Sequence, residues 1–424
     1  MKKSNIVIGI VGLGYVGLPL TLLLSKKYSI IAFDKNKKRI DELNNSIDSN
    51  GEFKSKDLQS NKNVFFSNNI KELSNCNFFI IAVPTPINKS NKPNLKFLKT
   101  ASLDVGKIMK KNSIVVYEST VYPGATEEIC IPILEKNSSL IANKDFFYGY
   151  SPERINPGDK VHTIENITKV VSGSNLKTTN KINKIYSSVI NRTYIAESIM
   201  VAEAAKIIEN TQRDLNIALI NELSTFFNKL NIDTNQVINA ASSKWNFIDF
   251  RPGLVGGHCI GVDPFYLTYK MKKLKISPKV ILSGRTINDA MGKIVANSTI
   301  ELMRKKKIKI KNSNVLVLGF SFKENCSDFR NTKVIDIILQ LEKNKCKVDI
   351  SDYLIDTSKA NEFYKLNISK DIIMNKKYDA IILAVGHKKY QSINIDFLNQ
   401  FLNNKSVFFD VKSTLKKELS DGRL

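Results

Sequence analysis

The chain has 424 residues, 42% apolar and 25% charged, an ordinary globular balance that excludes disordered, collagenous and disulfide-scaffold classes. Its length predicts two or three domains with ample core. Lys and Arg number 64 against 40 Asp and Glu, a formal charge of +24; the excess is mostly Lys spread along the whole chain beside abundant Asn, which reads as solvated surface rather than a nucleic-acid groove, while still attracting small anions such as nucleotides.

No apolar run approaches the roughly 18 residues of a membrane span. The first run is cut by Gly9, Gly12, Gly14 and Gly17, which suits a strand and turn better than a signal peptide and gives an expected cytoplasmic address. Cys76, Cys130, Cys259, Cys326 and Cys346 are odd in number and lack CxxC spacing, so free thiols are expected, with neither a disulfide framework nor a metal site. In chain order, residues 6–11 predict a strand, 12–17 a glycine turn, the segment to Lys27 a helix, and 29–33 a second strand closed by Asp34. Further strands are predicted at 78–83, 114–117, 146–150 and 169–171 with helices between most of them, the alternation of a parallel sheet covered on both faces. A helical periodicity free of Gly and Pro runs from 198 to 230 and suits a spine joining domains, or a dimer surface. A helix at 234–243, a Gly- and Pro-rich loop at 250–264 and more helix to 307 follow.

The last third echoes the first, with strands predicted at 315–319, 347–350, 380–385 and 407–409 and a helix at 332–343. The predicted fold is therefore α/β: two Rossmann-like doubly wound parallel-sheet domains joined by a long central helix and a helical middle domain, divided at 1–197, 198–307 and 308–424. The second doubly wound domain lacks the full glycine signature and is expected to hold a nucleotide differently, or only to pack.

Gly12, Gly14 and Gly17 satisfy GxGxxG between a strand and a helix. The first permits the tight turn, the second lets a pyrophosphate approach the backbone, and the third lets helix and strand pack closely. Asp34 follows 22 positions after Gly12, where a carboxylate accepts hydrogen bonds from ribose hydroxyls and repels a ribose phosphate, so NAD is expected rather than NADP. Val83-Pro84-Thr85-Pro86 and Ser119-Thr120 through Gly124 each follow a strand, placing Thr85, Thr120 and Thr126 near the carboxyl edge of the sheet. Glu153, in Ser151-Pro152-Glu153-Arg154, reads as a general base or as the ion-pair partner of Arg154, the pair being favoured. Lys206, Asn210, Arg213 and Asp214 share one helical face, either an oxyanion-stabilising group or a solvated stripe. Cys259 lies in the glycine-rich run 253–264, four residues before Asp263, where substrate can reach a thiol; it is the nucleophile candidate, with His258 an adjacent base or a structural residue.

The ordered series Gly12 to Gly17, Val83-Pro84-Thr85, Ser119-Thr120, Ser151-Pro152-Glu153, Lys206 with Asn210, Gly256-Gly257-His258-Cys259 with Asp263, and Gly319 through Phe322-Lys323 to Asp328 and Arg330 resembles the UDP-glucose/GDP-mannose dehydrogenase family along essentially the whole chain. Residues 151–159, 208–218, 244–247 and 251–259 are more similar to its branch of UDP-N-acetylhexosamine 6-dehydrogenases of bacterial surface-polysaccharide pathways. Two departures separate the chain from the UDP-glucose branch: Pro157 stands where that branch has a second Glu, and no Lys precedes Asp263.

The resemblance implies oxidation of a sugar C6 alcohol to a carboxylate with two NAD per sugar. Cys259 would be the nucleophile, Lys206 and Asn210 would stabilise the C6 oxygen, Asp263 and Thr120 would manage protons, and Glu153 would activate the hydrolytic water. Gly12, Gly14, Tyr15, Val16, Gly17, Asp34, Arg39, Thr85, Thr126 and Arg330 are expected at the cofactor. Arg154, Ile155, Arg213, Gly256, Phe322 and Lys323 are expected at the UDP-N-acetylhexosamine, together with Arg251, which resembles an arginine supplied to a neighbouring subunit and so implies a homodimer or larger homo-oligomer. A UDP-glucose 6-dehydrogenase is the alternative enzyme; a dinucleotide sensor would have no use for an accessible thiol.

Overall fold

The computed structural model describes residues 6–88, 90–154 and 161–424. The chain forms two compact units, one of Met1–Glu209 with Phe265–Ile276 and one of Asn210–Pro264 with Ser277–Leu424.

The first unit is built on eight strands, β1 (Val7–Val11), β2 (Ser29–Phe33), β3 (Val64–Ser67), β4 (Phe78–Ile81), β5 (Ile114–Tyr117), β6 (Phe147–Tyr150), β7 (Lys169–Gly173) and β8 (Thr193–Ile195). Their spatial order is β3-β2-β1-β4-β5-β6-β7-β8. The strand order reverses between β1 and β4, which opens the crevice where ligands of such sheets bind. β4 and β5 read Phe-Phe-Ile-Ile and Ile-Val-Val-Tyr and are buried throughout, as strands covered on both faces must be. The helix Gly17–Leu24 is buried at every position and packs Leu20 and Leu23 into a core with Ile8, Ile30, Ile80 and Val116.

One pairing departs from the all-parallel expectation. β6 and β7 are antiparallel, and the described residues of their connection contain no helix, which a parallel neighbour ordinarily requires for its crossover.

The second unit holds β9 (Asn314–Leu318), β10 (Lys347–Ser351), β11 (Ile368–Ser369), β12 (Tyr378–Leu383), β13 (Leu402–Asp410) and β14 (Gly422–Arg423), in the order β11-β10-β9-β12-β13-β14. The order β11-β10-β9-β12-β13 repeats β3-β2-β1-β4-β5. Helix Lys279–Lys305 joins this core through Met291, Val295 and Ile300, which meet Val317, Ile337 and Leu341. Gly292 makes the approach possible, since a Cβ there would lie 2.6 Å from that of Asp336. The helix predicted at 198–230 is Ile199–Lys229. Among the described residues no helix is long and apolar enough to cross a membrane, and no group of three metal-binding side chains occurs.

Candidate active site

In the first unit the glycine turn has the geometry its sequence predicts. Gly12 adopts φ +97°, and a Cβ on Gly17 would stand 1.8 Å from the Gly12 carbonyl oxygen, so both are glycine for reasons of packing. Gly14 differs: a Cβ there meets nothing within 4 Å. Tyr15 and Val16, between Gly14 and Gly17, are half-buried. The Asp34 carboxylate accepts the Leu13 N–H at 2.9 Å and, through its other oxygen, the Asn36 N–H at 2.9 Å.

Arg39 is buried, with Nε donating to the Leu13 carbonyl at 3.1 Å and Nη1 2.8 Å from Asp48. Its Nη2 is buried without a hydrogen-bond partner. An open glycine face, a strand-end carboxylate and an orphaned guanidinium nitrogen fit a dinucleotide.

The loops at the carboxyl edge are tied to one another. Ser119 Oγ donates to the Val83 carbonyl at 2.7 Å, and the Tyr266 hydroxyl donates to the Thr85 carbonyl at 2.8 Å. Thr85 and Thr120 are half-buried, whereas Thr126 is fully buried and donates its backbone N–H to Glu203 at 2.9 Å. Glu203 also accepts the Gly124 N–H at 2.5 Å, and burial pushes its carboxyl up to about 7 against these bonds.

Around Glu153 the favoured ion pair needs correction. The Arg154 guanidinium pairs with Glu209, and only the Arg154 backbone N–H reaches Glu153, at 2.6 Å. The cation paired with Glu153 is Lys169, 2.9 Å away and 1% exposed. Adjacent residues point apart here, so the partner came from a strand 16 positions on. Lys169 also pairs with Glu118, which accepts the Tyr186 hydroxyl. Lys169 at the head of the strand Lys-Val-Val was the sequence signal of this cluster. Ile155 lies outside the described residues.

Lys206 is buried and makes no hydrogen bond or ion pair with a described residue. Asn210, one turn on, is fully buried in the second unit; its Nδ2 donates to Asp263 at 2.6 Å and its Oδ1 has no hydrogen-bond partner. Two predicted residues 53 positions apart are thus joined. The stripe does not continue as one group. Arg213 is half-buried, and Asp214 is taken by Arg285 at 2.6 Å and Asn288 at 2.8 Å, a structural role.

Cys259 is exposed while the other four cysteines are buried. Its carbonyl accepts the N–H groups of Val262 at 3.0 Å and Asp263 at 2.8 Å, so the turn carrying the thiol leads straight into helix Asp263–Lys273. Gly257 has φ +82°, and a Cβ there would lie 2.7 Å from the Phe322 ring; one on Gly256 would lie 2.6 Å from the Asn331 carbonyl. The glycines therefore bring the thiol turn against the Phe322 loop. Lys323 Nζ sits 5.6 Å from the centre of the Phe322 ring.

His258 turns to Asp328, 3.6 Å away, and to Asn331 at 3.2 Å. Arg330 clasps Asp328 through Nε at 2.9 Å and Nη2 at 2.6 Å. Burial opposes the Asp328 charge, but the hydrogen bonds from Arg330 and His258 outweigh it and hold the carboxyl well below the usual range. Arg251 is held by Asp249, Asn235 and Asn239 of its own chain and lines a pocket of about 470 Å³ with Lys412 and Arg423.

A dinucleotide cradle on one sheet, a second doubly wound sheet and an exposed thiol in a glycine turn define a dehydrogenase of nucleotide-linked substrates. Residues 6–190, 200–290 and 316–417 match the NAD binding, central and UDP binding domains of the UDP-glucose/GDP-mannose dehydrogenase family, and the chain belongs to that family. It is 51% identical over 99% of both chains to a UDP-N-acetyl-D-glucosamine 6-dehydrogenase of Salmonella typhi, and 47% identical to that of Pseudomonas aeruginosa over 99% of this chain and 100% of the relative. The solved UDP-D-ManNAc dehydrogenase of Pyrococcus horikoshii superposes with a TM-score of 0.89 at 26% identity, covering 99% of this chain and 98% of the other. The protein is an NAD-dependent UDP-sugar dehydrogenase.

Proposed function

We propose that the protein oxidises the C6 alcohol of a UDP-N-acetylhexosamine, the GlcNAc or GalNAc derivative, to the uronic acid for surface-polysaccharide synthesis. The names and identities of the relatives support the substrate class. The observation that carries the chemistry is the exposed Cys259 in its glycine turn.

NAD, held by the Gly12–Gly17 turn, Asp34 and Arg39, supplies the hydride acceptor for both oxidations. The chain's part is to manage the carbon and its oxygen. Lys206 and Asn210 donate to the C6 oxygen as charge develops on it, an effect worth about 3 kcal/mol per donor in comparable sites. The Cys259 thiolate adds to the C6 aldehyde, and the oxygen takes a proton to complete a thiohemiacetal. Loss of a second hydride and of the hydroxyl proton gives a thioester, and water cleaves it to the carboxylate and free thiol. Asp263, fixed by Asn210, handles protons with Thr120, and Glu153 activates that water. Covalent capture keeps the aldehyde from escaping.

The 198–307 segment serves as the central and dimerisation domain between an NAD domain of 1–197 and a UDP-sugar domain of 308–424, with Phe322 and Lys323 at the substrate and Arg251 offered to a neighbouring copy. A panel of UDP-GlcNAc, UDP-GalNAc and UDP-glucose with an NADH count tests the reading. Two NADH per N-acetylhexosamine are expected, and Cys259→Ser is expected to abolish turnover while retaining UDP-sugar binding. A Ser variant with normal NADH output refutes the covalent route, and a preference for UDP-glucose refutes the substrate.

A further inference from the structure

The cluster beneath Glu153 is costly to bury and is not explained by folding alone. Lys169 Nζ, at 1% exposure, bonds the carboxylates of Glu118 and Glu153 and the carbonyls of Ser151 and Pro152, the last two at 3.2 Å each. Glu118 and Glu153 are 3% and 6% exposed, and the Tyr186 hydroxyl closes the far side of Glu118. One ammonium thus serves two buried carboxylates. A balanced pair would cost less, because an excess buried charge is penalised by desolvation.

The arrangement has a chemical consequence for Glu153. Its two oxygens are both engaged, one by Lys169 and one by the Arg154 N–H. A carboxylate bonded in this way is well placed but a poor proton acceptor, unless the cation holding it is shared with a competitor. Glu118 is that competitor.

We infer that Lys169 and Glu118 are positioning residues for Glu153: Lys169 fixes its carboxylate, and Glu118, by drawing on the same ammonium, leaves it basic enough to activate water. The inference rests on the assignment of Glu153 to thioester hydrolysis. Burial lifts the Glu118 carboxyl to about 7 despite Lys169, so the competition changes strength near neutral pH. Burial opposes the charge on Lys169, but Glu118 and Glu153 outweigh it and raise its affinity for a proton, so the ammonium stays charged throughout. Among the described residues the groups facing Glu118 are Lys169, Glu153 and Tyr186.

The test is Glu118→Gln, which keeps the shape of the cluster and leaves a neutral Lys169–Glu153 pair, so the variant is expected to fold. The expected result is a kcat lower by roughly tenfold or more, from a weakened general base. An initial burst of NADH should appear, with sugar-modified Cys259 accumulating by mass spectrometry and UDP-sugar binding unchanged. The kcat profile should lose its inflection near pH 7. Lys169→Arg, which restores the charge, is expected to recover more activity than Lys169→Met. A parent that forms two NADH per sugar beside a Glu118→Gln variant with the same kcat, no burst and the same pH profile overturns the inference alone. A parent that fails the NADH count removes the assigned role of Glu153, and the inference with it.

Discussion

Gly14 and Gly17 belong to one motif yet answer to different demands, and substituting each by Ala separates them. At Gly17 the new Cβ would be 1.8 Å from the Gly12 carbonyl oxygen, a backbone atom that cannot swing aside. Backbone must move, and a loss of about 2–3 kcal/mol of folding free energy is expected, the scale of overpacking in a tight core. At Gly14 nothing lies within 4 Å and φ is outside the left-handed region. Gly14→Ala is therefore expected to change stability by no more than about 0.5 kcal/mol, as ordinary surface substitutions do. Its cost falls on the cofactor. A methyl group on the face a pyrophosphate approaches is expected to weaken NAD at least roughly tenfold, about 1.4 kcal/mol. Urea unfolding gives the first quantity and a fluorescence titration with NAD the second. A Gly14→Ala protein that binds NAD like the parent, or melts as early as Gly17→Ala, would refute the division of roles.

Two further outcomes follow from buried carboxylates. Glu203 has its carboxyl raised from 4.5 to about 7, so its contribution to stability is full below pH 4.5 and is lost as the pH rises through 7. Relative to Glu203→Gln, the parent should lose about 3 kcal/mol over that window, measured by urea unfolding at each pH; a parallel pair of curves contradicts this. Asp328 is shifted the other way, contributing above the ordinary carboxylate range and losing that contribution as the pH falls through its lowered value. Asp328→Asn should cost about 2 kcal/mol at pH 7 by thermal or urea unfolding.

The apolar runs that became β1, β2, β4, β5 and β9 were legible because strands buried on both faces are written as unbroken hydrophobic stretches. β3 and β8 were not, since Phe65, Tyr194 and Ile195 on these outer strands are exposed and their runs are short. β11 and β14, two residues each, carry no periodicity at all. The glycine turn and the thiol loop were legible for a different reason: steric demands leave only glycine at Gly12, Gly17 and Gly257, so the sequence records the backbone directly. The bond from Asn210 to Asp263 and the pairing of Glu153 with Lys169 are contacts between separate elements. No spacing rule encodes them, and proximity along the chain pointed instead to Arg154.

The two sheets end their second strands in the same residue type and put it to opposite uses. Asp34 is half-buried beside an open turn. Asp352, its counterpart after β10, is fully buried; it accepts the N–H groups of Phe320 at 2.7 Å and Ser321 at 3.0 Å, and His387 Nε2 lies 3.2 Å from the same oxygen. A protein engineer who wishes to change the redox carrier thus has one lever at the mouth of the first sheet. In the second, the matching carboxylate is locked inside the wall and is spent on holding the turn that follows β9.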